Sequence, residues 1–196
     1  GDVQWMTAGR GILHEEMPRR GPDGTIYGFQ LWVNLPAALK MNRPRYQEVQ
    51  AGQIPTFERG GVKVRVVAGE AGGLSGPVTE IAANPLYLDV QLAPGAEFYQ
   101  PIPAGHTGLI YLFHGDARFG GDEVSSLRMI TLTDGEQLTV LAGGEGARFM
   151  LMAGAPIKEP IVPYGPFVMN TREEIQQALL DLRNGTFVGE ESALKL

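Results

Sequence analysis

Gly95-Ala96-Glu97-Phe98-Tyr99-Gln100-Pro101-Ile102-Pro103-Ala104-Gly105-His106-Thr107-Gly108-Leu109-Ile110-Tyr111-Leu112-Phe113-His114-Gly115 is the stretch on which the fold turns. Gly95, Gly108 and Gly115 hold a frame: five residues precede Pro101-Ile102-Pro103, four more precede Gly108, and six separate Gly108 from Gly115. A second frame follows, with Gly135, five residues, Leu141-Ala142-Gly143, two residues and Gly146. Apolar runs of strand length fill the intervals, and glycine and proline punctuate them, which is the pattern of short strands joined by turns.

Outward from this stretch the same grammar repeats. Strands are expected over 2–7, 11–17, 27–35, 62–68, 86–92, 108–114, 126–132, 137–141 and 148–153, with turns at Pro94-Gly95, Gly120-Gly121-Asp122, Asp134-Gly135 and Gly143-Gly144-Glu145-Gly146. Glycine at 27 and proline at 14 are high counts for 196 residues and agree with a mostly β chain. Between Pro36 and Gly61 the pattern lapses into prolines and polar residues, so 36–60 reads as a linker between two β units. Only the C-terminal end looks helical. Thr171-Arg172-Glu173-Glu174 has capping-box spacing, Ile175, Ala178, Leu179 and Leu182 recur on one face, and Gly185 supplies a stop.

Composition narrows the function. Apolar residues at 43% and charged residues at 19% predict a folded globular chain. A net charge of -6 opposes a general grip on the phosphate backbone, so no direct nucleic-acid partner is expected, and Arg10, Arg19 and Arg20 read as a solvated rim. With no cysteine, disulfides, thiolate metal sites and cysteine nucleophiles are excluded. No span of about twenty apolar residues occurs, so no membrane partner is expected and the cytoplasm is the default compartment. Asn184-Gly185-Thr186 reads as a helix end.

The chemistry-bearing segment is Gly1-Asp2-Val3-Gln4-Trp5-Met6-Thr7-Ala8-Gly9-Arg10-Gly11-Ile12-Leu13-His14-Glu15-Glu16. In a strand His14 and Glu16 point to one face and Glu15 to the other, which makes an imidazole and a carboxylate half of a metal site. The chain opens in the middle of a strand pattern, so its first domain is expected to lack its opening strands. Gly9-Arg10-Gly11 and Gly144-Glu145-Gly146 lack the third glycine and the strand-turn-helix setting of a dinucleotide site, and no serine sits in a nucleophile elbow.

The two glycine frames resemble those of a cupin barrel. Laid on that grammar, the usual metal positions of the barrel at 61–155 hold Pro101, Pro103, Gly108 and Gly146, none with a donor side chain, so this barrel is expected to be metal-free, with His106 and His114 as hydrogen-bonded histidines at its mouth. The N-terminal segment matches the closing strands of another cupin. Together with Gln30-Leu31-Trp32-Val33-Asn34-Leu35, Tyr46-Gln47-Glu48 with Ile54-Pro55, and Gly165-Pro166-Phe167-Val168-Met169-Asn170-Thr171, it makes nearly the whole chain resemble the pirin family of iron-binding bicupins.

The resemblance implies an all-β bicupin of two jelly-roll barrels, the first truncated, with a C-terminal α-helix: 1–35 closing the first cupin, 36–60 linking, 61–155 forming the second cupin, and 156–196 a proline-rich strap and helix. It implies non-haem divalent iron in the first cupin, with His14 and Glu16 as metal ligands and Glu16 also as the catalytic base. The family's upstream His-x-His is absent from this sequence, so further donors are expected from outside it. It also implies quercetin 2,3-dioxygenase activity, with a small aromatic, flavonol-like substrate that Trp5, Met6, Phe29 and Trp32 line if they are not simply barrel core. The alternative is an iron-dependent, non-catalytic regulator that binds a transcription factor or a metabolic enzyme as its protein partner.

Overall fold

The computed structural model describes residues 1–15, 17–18 and 20–188. Its strands are β1 (Val3–Thr7), β2 (Arg45–Val49), β3 (Thr56–Arg59), β4 (Val62–Ala68), β5 (Glu70–Ala71), β6 (Leu74–Ser75), β7 (Leu86–Leu92), β8 (Glu97–Pro101), β9 (Thr107–Phe119), β10 (Asp122–Ser125), β11 (Arg128–Thr131), β12 (Gln137–Gly154), β13 (Val162–Tyr164) and β14 (Phe167–Met169); α1 (Arg172–Asn184) follows. The chain divides into two compact units, one of residues 49–156 and one of residues 3–48 with the segment from Ile157 onward.

The 49–156 unit is an eight-stranded antiparallel sheet closed around an apolar core. Its path runs β10-β9-β12-β7-β4-β3, with β11 on β9 and β8 on β12. The long strand β12 is the spine: it pairs with β7, with β8 and along most of β9. Side chains alternate faces along each strand, so Val62, Val64 and Val66, then Leu88, Val90 and Leu92, then Phe149 and Leu151 all point into the barrel and are buried. Phe149 is fully buried and takes edge-on contacts from Phe98 at 5.9 Å and Phe119 at 5.8 Å between ring centroids. Edge-to-face pairs add roughly 0.5–1.5 kcal/mol each beyond the area they bury.

The second glycine frame has a backbone reason. Register between β9 and β12 slips between Ala142 and Ala147, where Gly143-Gly144-Glu145-Gly146 bulges. Gly115 has φ +73°, and a Cβ there would lie 1.9 Å from the carbonyl oxygen of Gly146. Gly146 has φ +76°, with the carbonyl oxygen of Leu92 2.6 Å from where its Cβ would be. A side chain is excluded twice at each position, by handedness and by space.

In the other unit β1 pairs with β2, β13 pairs with β14, and α1 packs with β13 and β14. The capping box is formed: Thr171 accepts from the amide of Glu174, and Glu174 accepts from the amides of Thr171 and Asn170. Gly185 caps the helix in the left-handed conformation at φ 72°.

Two expected strands are corrected. Neither 11–17 nor 27–35 forms a strand among its described residues. A strand exists only against a neighbour, and β1 ends in a turn in which the amide of Gly11 donates to Ala8 and that of Arg10 to Asn42. Beyond that turn no ladder receives the described residues up to Leu35. Conversely, 36–60 carries β2 and β3, whose polar residues hid their alternation from a reading of apolar runs.

Candidate functional site

His14 follows the Ala8–Gly11 turn and is exposed; Glu16 lies outside the described residues. With His14 off any strand, alternation no longer places the two on one face, and their pairing rests on the resemblance. Imidazole and carboxylate are suitable donors for divalent iron, whose facial site in non-haem oxygenases uses three protein ligands. Among the described residues no three of His, Asp and Glu converge on a point that holds a metal. The donors described in this chain do not fit a complete iron site.

Phe29 and Trp32, expected to line a substrate cavity or a barrel core, are 43% and 60% exposed. Trp5 and Met6 are half-buried on β1. Leu13, Met17, Ile26, Tyr27 and Leu31 join Phe29 and Trp32 in an exposed apolar run through this segment.

What organises this unit is a residue the sequence did not flag. Lys40 is only 5% exposed, and its Nζ donates to Asn34 Oδ1 at 2.7 Å and to the carbonyl of Val168 at 2.9 Å. Glu159 ties the same region from the other side, accepting from the amide of Ala37 at 2.7 Å and from Asn170 Nδ2 at 3.0 Å. Burial pulls the Lys40 ammonium below its ordinary value, and the carboxylates of Glu159 and Glu174 pull the other way. Two of the quoted segments, Gln30 to Leu35 and Gly165 to Thr171, thus meet at one buried cation. A lone lysine in a polar, proline-rich interval carries no periodic signal that would have revealed it.

In the barrel the frame positions need correction too. Pro101 and Pro103 are exposed, because β8 begins with Glu97 outward and sends Phe98 and Gln100 inward, followed by Ile102. Gln100 is the polar side chain that enters this core, and its Nε2 is used by the carbonyls of Glu70 at 3.2 Å and Pro101 at 3.0 Å. His114 is exposed on β9, and His106 is half-buried in the turn before it, its Nδ1 without a hydrogen bond.

Comparison with known proteins fixes the family. The family model for the pirin C-terminal cupin domain matches residues 87–188, and the pirin model matches residues 1–33. The chain belongs to the pirin family. Human pirin is 46% identical over 189 residues, which cover 94% of this chain and 64% of that protein. A Pseudomonas aeruginosa pirin relative with the provisional name quercetin 2,3-dioxygenase is 43% identical over 197 aligned residues, 94% of this chain and 67% of its own length. The crystal structure of quercetin 2,3-dioxygenase from Acinetobacter baumannii superposes with a TM-score of 0.85 at 36% identity, covering 95% of this chain and 67% of that one. The pirin architecture, mostly β and cupin-like with one C-terminal helix, is therefore shown, and the chain spans about two thirds of the length of these relatives. No helix among the described residues is long and apolar enough to cross a membrane.

Proposed function

We propose that the protein belongs to a pirin-type metal cupin that opens flavonols with dioxygen, a quercetin 2,3-dioxygenase activity, and that this chain contributes His14 and Glu16 to its divalent iron. The observation that carries the reading is the relationship to the Acinetobacter baumannii dioxygenase, whose fold and sequence run along almost all of this chain. The Pseudomonas aeruginosa relative supports it independently through sequence. The donor types agree with divalent iron, and their number does not complete a site, so the remaining ligands come from outside this sequence and no chemical step is assigned to a metal held by this chain alone.

In this reading the 49–156 barrel is scaffold. Its interior is filled by Leu88, Ile110, Leu112, Phe149 and Leu151, all fully buried, which leaves the flat aromatic substrate to the N-terminal region. The test is anaerobic loading with ferrous iron of this chain joined to an upstream His-x-His segment of the family, followed by quercetin loss and oxygen uptake. Turnover that His14→Ala abolishes supports the enzyme. Iron binding without turnover transfers the case to a non-catalytic, iron-dependent regulator, and iron binding indifferent to His14→Ala removes this residue from the metal.

A further inference from the structure

On the outer face of the barrel, away from its apolar core, lies a cluster that the dioxygenase reading leaves unused. Lys63 and Arg65 stand on β4, Asp89 and Gln91 on β7, and Arg148 on β12, three adjacent strands. Register sets Lys63 and Arg148 on either side of Gln91, and Arg65 opposite Asp89. Since alternate residues share a face, all five side chains gather on one patch of sheet. Together they line a cavity of about 180 Å³.

The charges in that cavity are unequal. Asp89 is the single carboxylate among its lining residues, beside Lys63, Arg65 and Arg148, in a chain whose net charge is -6. Asp89 is 9% exposed and holds the guanidinium of Arg148 in a two-pronged contact, 3.1 Å to Nε and 2.8 Å to Nη2. The Phe113 ring lies 5.3 Å from the same guanidinium. Carboxylate and ring therefore fix the plane of Arg148 before any ligand arrives, which lowers the ordering cost of binding. Arg65 Nη1 stands 3.7 Å from Asp89, and Lys63 reaches from the rim, 3.8 Å from the exposed Glu58 in a pair too solvated to hold it.

We propose that this cavity is a binding site for a small oxyanion, a carboxylate or a phosphate, with Arg65 and Lys63 as its charge and Asp89 as the positioning residue for Arg148. Guanidinium forks match both anions in geometry. The space, about 180 Å³, admits one such small ion. Gln91 supplies an uncharged amide at the centre of the row.

The experiment is an amide-shift titration of the full chain at low ionic strength, with inorganic phosphate in one arm and malonate in the other. Saturable shifts centred on residues 63–65, 89–91 and 148, weakened at least tenfold by Arg65→Gln and by Lys63→Gln and unchanged by Arg118→Gln, are expected. The arm that saturates at lower concentration assigns the anion class, and added salt weakens both. No saturation in either arm, or equal affinity in wild type and the two cavity variants, overturns the proposal.

Discussion

A buried lysine among carbonyls and carboxylates makes a definite statement about pH. Because burial dominates, the folded state holds the Lys40 proton less tightly than the unfolded chain does, for which the ordinary value is 10.5. Between the depressed folded value and 10.5 the unfolded state binds more protons, so stability rises with pH across that window. Below the folded value the full penalty of the buried charge is carried. Lys40→Met removes the Lys40 contribution to the alkaline rise and leaves the half-buried Asn34 and Val168 oxygens without the ammonium that served them. Urea midpoints measured from neutral to alkaline pH check both parts: the variant starts lower, and wild type gains on it as pH rises, while the raised Tyr87 phenol bends both profiles alike. Nothing in the sequence around Lys40 announced this role, whereas His14 announced one that its exposed position, off any strand, leaves to the rest of the protein.

At the level of elements, the helix was the most legible feature because its signals are local. Thr171, Glu174 and Gly185 act through their own backbone neighbours, and each sits as its residue type requires. Thr171→Ala removes one cap acceptor, at about 1 kcal/mol. The loss is expected as faster amide exchange over 172–184 with the barrel amides unchanged. The strands β4 and β7 were equally legible, since both faces of a barrel wall impose alternation on Val62 to Ala68 and Leu86 to Leu92. Residues 27–35 show the same alternation and no strand, and 11–17 forms none among its described residues, for pairing is a property of two segments and only one is visible in a period. The frame in β8 failed by one residue: spacing located the turn, and only burial shows that Gln100 and Ile102, not Pro101 and Pro103, enter the barrel.

For the molecule as a whole, the cohesion of the barrel and the proposed chemistry rest on different residues. The 49–156 unit draws its cohesion from one continuous apolar interior with Phe149 at its centre. Phe149→Ala is expected to cost about 3–5 kcal/mol, read as a lowered urea midpoint of the barrel unfolding transition. The barrel frame was readable because glycine spacing records backbone constraints that survive the exchange of side chains, and the family because whole segments of the chain resemble it. The proposed site was less legible, because metal ligation needs donors from several segments and the resemblance assigns only one histidine and one carboxylate of this sequence to it. The central claim is that His14, and no residue of the barrel, is the imidazole this chain offers to iron. The most direct measurement is a map of paramagnetic broadening on anaerobic addition of ferrous iron to this chain joined to an upstream His-x-His segment of the family. Broadening strongest at the amides flanking His14 and lost in His14→Ala is the expected result; broadening centred on His106 or His114 and untouched by that substitution would contradict the account.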